Sequence, residues 1–329
     1  MTYKDVNRLR VPDTCNWFLA DEKFSRWRDS EESNLLWVSA GPRCGKSVIL
    51  RSLIDEKHLS KTITTSTVFY FFFKNGDKNR ESSTDALGAI LHQFFTNNLN
   101  PHLINYGLDG HKKCGTNLKE NLSELWNILE RCADDPEAGE IICVLDALDE
   151  CLESSRLQLL DKISQFYSQQ SCPSQRLKFL ITSRPYSDLE ARFRRFSEIV
   201  HLDGDDKLDI IRREIDLVID EEISDIAPSL NAEARSQLSN RQKSMENRTY
   251  LWLHLTFDII RRKQAAFAKM SNIQSLLDSL PSQISDAYDE ILRKSEDESV
   301  AGSLLQIILA ATRPLTLDEA NIALTLATE

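Results

Sequence analysis

The chain has 329 residues, 41% of them hydrophobic and 28% charged. This balance excludes a disordered tail and leaves length for a buried core and about two domains. Forty basic against 51 acidic residues leave a formal charge of −11, which argues against a broad phosphate-tracking surface, so no nucleic-acid partner is expected.

The longest apolar run, 66–73, falls far short of the roughly 20 residues that a membrane span needs. The N-terminus, Met1-Thr2-Tyr3-Lys4-Asp5, carries no apolar signal-peptide core. The seven cysteines are odd in number, form no CxxC and stand at zinc spacing from no histidine. Reduced thiols and a cytoplasmic location are the simplest expectation. The six scattered histidines read as structural or surface groups.

In chain order, five short runs read as strands: 35–39, 67–73, 141–145, 177–181 and 199–202. They are β-branched or aromatic and nearly continuous, the pattern of strands buried on both faces. Helical patterns separate them at about 46–57, 84–99, 117–133, 155–170 and 187–195, with Ser187-Asp188-Leu189-Glu190 as a capping box. Such alternation predicts βαβ units and a mostly parallel sheet. After residue 203 only helices are expected: 205–222, 231–245, 249–264, 271–280, 283–296 and 299–312. Thr316-Leu317-Asp318-Glu319 then caps a last helix.

Three strand ends carry the chemistry. The first is followed by Ala40-Gly41-Pro42-Arg43-Cys44-Gly45-Lys46-Ser47, the Walker A spacing with Ala40 in place of the usual first Gly. In such a loop, backbone N–H groups through Val48 point at phosphate oxygens. Lys46 supplies charge to the β/γ-phosphates, and the Ser47 hydroxyl can ligate Mg²⁺. Arg43 stands where the backbone bends closely around phosphate. It adapts the loop, reaches the phosphate or weakens binding, and the residues leave the three open. The second strand end, Val144-Leu145-Asp146-Ala147-Leu148-Asp149-Glu150, offers Asp146 for Mg²⁺ and either Asp149 or Glu150 to polarise an attacking water. The third is Ile181-Thr182-Ser183-Arg184-Pro185. Thr182 and Ser183 can bond the water or Asp146. Arg184 can sense a γ-phosphate, or pair structurally with a nearby carboxylate.

Together with Asp13-Thr14-Cys15-Asn16-Trp17-Phe18-Leu19, Phe71-Phe72-Phe73-Lys74 and Thr249-Tyr250-Leu251-Trp252-Leu253, these motifs resemble the NACHT domain of STAND-class P-loop NTPases, of the fungal nephrocystin-like and NOD-like receptor type. Further agreement lies in Leu280-Pro281 with Ala287-Tyr288-Asp289-Glu290-Ile291-Leu292, and in Arg313-Pro314-Leu315-Thr316-Leu317-Asp318-Glu319.

The resemblance implies an ASCE-type α/β fold with a five-stranded sheet, in which the acidic strand and the phosphate-loop strand flank the Thr-Ser-Arg strand. It implies a lead-in helix over 1–30, a nucleotide-binding domain over 31–203, a helical domain over 204–298 that closes over the nucleotide, and the start of a winged helix over 299–329. It also implies a switch operated by ATP and ADP with Mg²⁺, GTP and GDP being possible. The triphosphate state would hydrolyse slowly and self-associate, as the central module of a non-self-recognition or innate-immunity-like protein with flanking or partner effector domains. Arg43 and Arg248 stand where that family often carries Gly. The competing expectation is a degenerate fold that serves as a protein-interaction scaffold.

Overall fold

The computed structural model describes residues 3–41, 44–61, 66–97, 101–168, 176–194, 199–203, 208–226, 232–245, 250–262, 289, 292, 297–312 and 315–328. The expected helices at 271–280 and 283–296 lie almost wholly outside these residues, as do Pro42, Arg43, Arg248, Thr249, Arg313 and Pro314. The chain divides into two compact units, Met1–Val218 and Ile219–Glu329.

The first unit is a parallel sheet. Strands β1 (Leu35–Ser39), β2 (Ser66–Phe72), β3 (Glu140–Asp146), β4 (Leu177–Ser183) and β5 (Ile199–Asp203) pair in the order β2-β3-β4-β1-β5. The strand carrying Thr182 and Ser183 thus lies between the acidic strand and the strand that leads to Lys46 and Ser47. The three motif-bearing strand ends fall on one rim.

Side chains alternate across a strand, and both faces are covered. Leu35, Trp37, Phe69, Phe71, Cys143, Leu145, Phe179 and Ile181 share one core with helices α4 (Ser83–Asn97), α6 (Leu122–Asp134), α7 (Glu153–Ser168) and α8 (Ser187–Phe193). Leu36, Val38, Ile142, Val144 and Leu180 share the opposite core with α1 (Asn16–Leu19), α2 (Glu22–Asp29) and α3 (Lys46–Asp55). A strand with apolar residues at every position therefore serves two cores, which explains the continuous runs. Stacked rings fix the helices in place, Trp37 on Phe193 at 4.4 Å and Trp126 on Phe179 at 6.0 Å.

Two local expectations differ from the structure. Ser187 is the first residue of α8, not its cap; Tyr186 holds that position, and no side chain bonds the helix end. A helix unforeseen in the sequence, α5 (Ile104–Cys114), carries Gly107 and Gly110. A Cβ at Gly107 would meet Phe95 at 2.9 Å, and one at Gly110 would meet Ile128 at 2.6 Å. These glycines weaken the helical pattern because close packing requires them.

Helix α9 (Leu208–Ile226) runs from the first unit into the second. The second unit continues with α10 (Ala232–Lys243), α11 (Tyr250–Arg262), α12 (Glu298–Ala310) and α13 (Leu317–Thr328). Trp252, Leu253, Phe257 and Ile260 of α11 are buried, so Trp252 is a core residue. The capping box at α13 is formed: Thr316 N–H donates to Glu319 at 2.9 Å, and Glu319 N–H to the Thr316 hydroxyl at 3.2 Å.

Candidate functional site

Strand β1 ends at Ser39, Ala40 is buried, and the loop turns into α3 at Gly45. Gly45 has φ 81°, a left-handed conformation that a Cβ disfavours, and it caps the helix without a side chain. The first amides of α3 are therefore left without a side-chain cap, an arrangement that suits an anion.

Lys46 folds back over the loop. Its Nζ donates to Ala40 O at 2.7 Å and Gly41 O at 2.8 Å. Burial pulls its pKa below the ordinary 10.5, against the opposing pull of Cys44, Asp149 and Asp146. A half-desolvated ammonium gains from an anion brought beside it.

The acidic strand end lies across from this loop. Ser47 Oγ donates to Asp146 Oδ2 at 2.5 Å, and Thr182 Oγ1 donates to Asp146 Oδ1 at 2.5 Å. One carboxylate thereby joins the loop, the acidic strand and β4. Burial pushes the Asp146 carboxyl above its usual range, while Ser47, Thr182 and Lys46 oppose the shift. The chain leaves β3 sharply: Ala147 takes φ 55° and ψ 50°, a left-handed conformation for a residue with a Cβ. Its N–H donates to Thr182 Oγ1 at 2.9 Å.

The two carboxylates that sequence spacing left as alternatives are treated differently. Asp149, with its side chain 5% exposed, accepts from Arg184 N at 3.1 Å and lies 3.2 Å from Arg184 Nε. Glu150 faces β2's exit instead, accepting from Asn75 N at 3.2 Å, with Lys74 Nζ at 4.0 Å. Arg184 thus pairs with a neighbouring carboxylate, one of its two sequence expectations, and its Nη1 also reaches Tyr186 at 3.4 Å. Ser183 Oγ is occupied structurally, accepting from Trp37 Nε1 at 2.9 Å and donating to Arg184 O at 3.0 Å. Ala40, Gly41, Cys44, Gly45, Lys46, Ser47 and Val48 are described; Pro42 and Arg43 are not.

Two further residues belong to this neighbourhood, Arg156 of α7, which lies in no motif, and Asp188 of α8, which the sequence shows only within the Ser187-Asp188-Leu189-Glu190 capping pattern. Arg156 donates to Asp149 O at 3.3 Å and to Asp188 Oδ2 at 2.9 Å. An Arg seven residues past the acidic turn is ordinary helical sequence until the packing is known. Elsewhere, His102 meets Asp135 at 2.9 Å through Nε2 and Glu137 at 3.3 Å through Nδ1. The two carboxylates engage different ring nitrogens, which is the geometry of a surface ion-pair fork.

The family model described as "Nephrocystin 3, N-terminal" matches residues 13–184, over half the chain. The vegetative incompatibility protein HET-E-1 of Podospora anserina is 25% identical over 318 residues, covering 94% of this chain and 22% of that protein. The chain thus spans about a fifth of this relative's length. Among solved structures, a Walker-type ATPase of Pyrococcus abyssi has a TM-score of 0.46 at 13% identity, covering 98% of this chain and 91% of that one. The Orc1 protein of Aeropyrum pernix in complex with DNA has 0.43 at 16%, covering 95% and 81%. Both likenesses are too distant to carry a shared activity. The family match spans the Gly45-Lys46-Ser47 loop, the acidic turn and Arg184 alike, and the chain belongs to the nephrocystin 3 N-terminal family, a NACHT-like module of the STAND NTPases.

Proposed function

We propose that the chain is a nucleotide-operated switch that binds ATP in preference to GTP, hydrolyses it slowly with Mg²⁺, and forms the central module of a cytoplasmic non-self-recognition protein. One observation carries the reading: Lys46, Ser47 and Asp146 meet at the C-terminal rim of the sheet, where open α/β sheets bind ligands.

In this reading the polyphosphate sits on the α3 amides, and Lys46 exchanges its two carbonyl contacts for phosphate oxygens. Ser47 and Asp146 present hydroxyl and carboxylate oxygens only, the hard donor set that suits Mg²⁺. They would hold the ion, which when bound neutralises charge on the β- and γ-phosphates. Glu150 is the favoured group to polarise water, because the Asp149 carboxylate is already committed to Arg184. Arg184 becomes a γ-phosphate sensor when the triphosphate draws it from Asp149. The triphosphate and diphosphate states would then differ in that one ion pair, the kind of differential contact a switch requires. Absence of the guanine-reading Asn-Lys-x-Asp order supports ATP over GTP. Self-association in the triphosphate state and flanking or partner effector domains are what the family resemblance implies.

A melting scan with ATP, ADP, GTP and GDP, each with and without Mg²⁺, tests the reading. Mg²⁺-dependent stabilisation strongest with adenine nucleotides is expected. No shift with any of the four would leave the interaction-scaffold reading in its place.

A further inference from the structure

Arg156 and Asp188 close a ring of contacts around the acidic turn. Arg184 N and Nε hold the Asp149 carboxylate, at 3.1 and 3.2 Å. Arg156 Nη1 holds the carbonyl oxygen of the same Asp149 at 3.3 Å, and its Nη2 reaches Asp188 Oδ2 at 2.9 Å. Asp188 lies on α8, four residues after Arg184, so the backbone completes the circuit. The acidic turn is gripped by its side chain from one direction and by its main chain from the other.

Stability does not account for this arginine. Arg156 is 8% exposed, and its Nε is buried with no hydrogen-bond partner among the described residues. Its carboxylate partner is half exposed. A buried guanidinium with an unmade N–H bond is poorer packing than an apolar side chain of equal length. Polar groups retained at such a cost cluster where function requires a fixed geometry.

The geometry points to Arg156 as a positioning residue that couples the acidic turn to the loop bearing Arg184, with Asp188 as its anchor. In this role it acts through the turn and not on the reacting atoms. It holds the Asp149 main chain in place while the Asp149 side chain exchanges Arg184 with the γ-phosphate, and so it keeps Glu150 aimed. The inference rests on the nucleotide-switch reading above.

Arg156→Met, Asp188→Asn and the double variant test it through three readouts: melting temperature without nucleotide, ADP affinity and ATP turnover. Arg156→Met should melt no lower than the wild type and bind Mg-ADP within about threefold of it, while kcat falls about ten- to hundredfold. Asp188→Asn should shift kcat the same way by less. The double variant should fall no further than Arg156→Met, because both residues act through one ring. Should the wild type bind without measurable turnover, the ratio of ADP to ATPγS affinity replaces kcat and should move at least about threefold in Arg156→Met. The inference is overturned if Arg156→Met keeps kcat, or that ratio, within about twofold. It is equally overturned if melting temperature and ADP affinity fall together with kcat, since Arg156 would then merely support the fold. A wild type that binds no nucleotide overturns the switch reading, and this inference with it.

Discussion

Ser47 and Asp146, 99 positions apart in the chain, are joined by a 2.5 Å hydrogen bond between the first turn of α3 and the end of β3. That bond brings the Gly45-Lys46-Ser47 loop and the acidic strand together, and it does so around a carboxylate buried to 3% exposure. Holding a buried charge costs stability. Asp146→Asn keeps the shape and removes the charge, so the nucleotide-free variant should be more stable than the wild type. Below the ordinary value of 3.8 the group is protonated in both folded and unfolded chains. Its folded pKa is raised, so stability is lost as pH rises through that raised pKa. Every tenfold weakening of the acid on folding corresponds to about 1.4 kcal/mol. The melting gap between Asp146→Asn and wild type should be small in acid and widen toward neutral pH in favour of the variant. A gap that is constant or reversed counts against the assignment.

The partition of the acidic turn makes a second prediction. Glu150→Gln removes the proposed water-polarising group while its Asn75 contact can persist. Turnover should fall about 10²- to 10⁴-fold with triphosphate affinity little changed. Asp149→Asn weakens the hold on Arg184 instead and should mainly alter discrimination between ATP and ADP. Single-turnover hydrolysis and equilibrium binding separate the two. Unchanged hydrolysis in Glu150→Gln would transfer the role to Asp149.

At the opposite rim of the sheet, Lys178 is 1% exposed and places Nζ 2.7 Å from Glu140 Oε1. The same ammonium donates to Arg28 O at 2.9 Å and Ser30 O at 2.5 Å, pinning the end of α2 to β4. Lys178→Met leaves the largely buried Glu140 without its cation and should cost about 3–5 kcal/mol in denaturant unfolding. Adding Glu140→Gln should recover part of that loss. An additive double variant would show that the pair is not coupled.

In the second unit, Gln242 is fully buried, and both its side-chain Nε2 and Oε1 have no partner among the described residues. Each such unmade bond costs about 1–3 kcal/mol. Gln242→Met, of similar length and without those polar atoms, should raise the midpoint of chemical unfolding. A lowered midpoint would mean that the amide has partners this packing does not reveal.

The sheet was legible because β1, β3 and β4 each send side chains into two cores, so that runs such as Ile141-Ile142-Cys143-Val144-Leu145 are apolar at every position. Of the candidate site, the contiguous parts could be read in the sequence, as in Gly45-Lys46-Ser47 and Asp146 through Glu150, which the structure brings to one rim. It was illegible where partners meet only in space. Arg156 and Asp188 sit on separate helices and have no spacing to betray them. The pairing of Arg184 with Asp149, rather than with Glu150, depends on the left-handed turn at Ala147, which an alanine does not announce. Helix α5 was hidden by Gly107 and Gly110, whose role is close packing against Phe95 and Ile128.

Binding of a nucleotide's phosphates by Lys46 and its loop is read out in the thermal shift of wild type and Lys46→Ala with Mg-ATP. At a hundredfold excess over Kd the wild type should gain about 2.7 kcal/mol. Lys46→Ala, folded and melting near the nucleotide-free wild type, should lose most of that gain. Equal shifts in the two proteins, or none in either, would mean that Lys46 and its loop hold no phosphate.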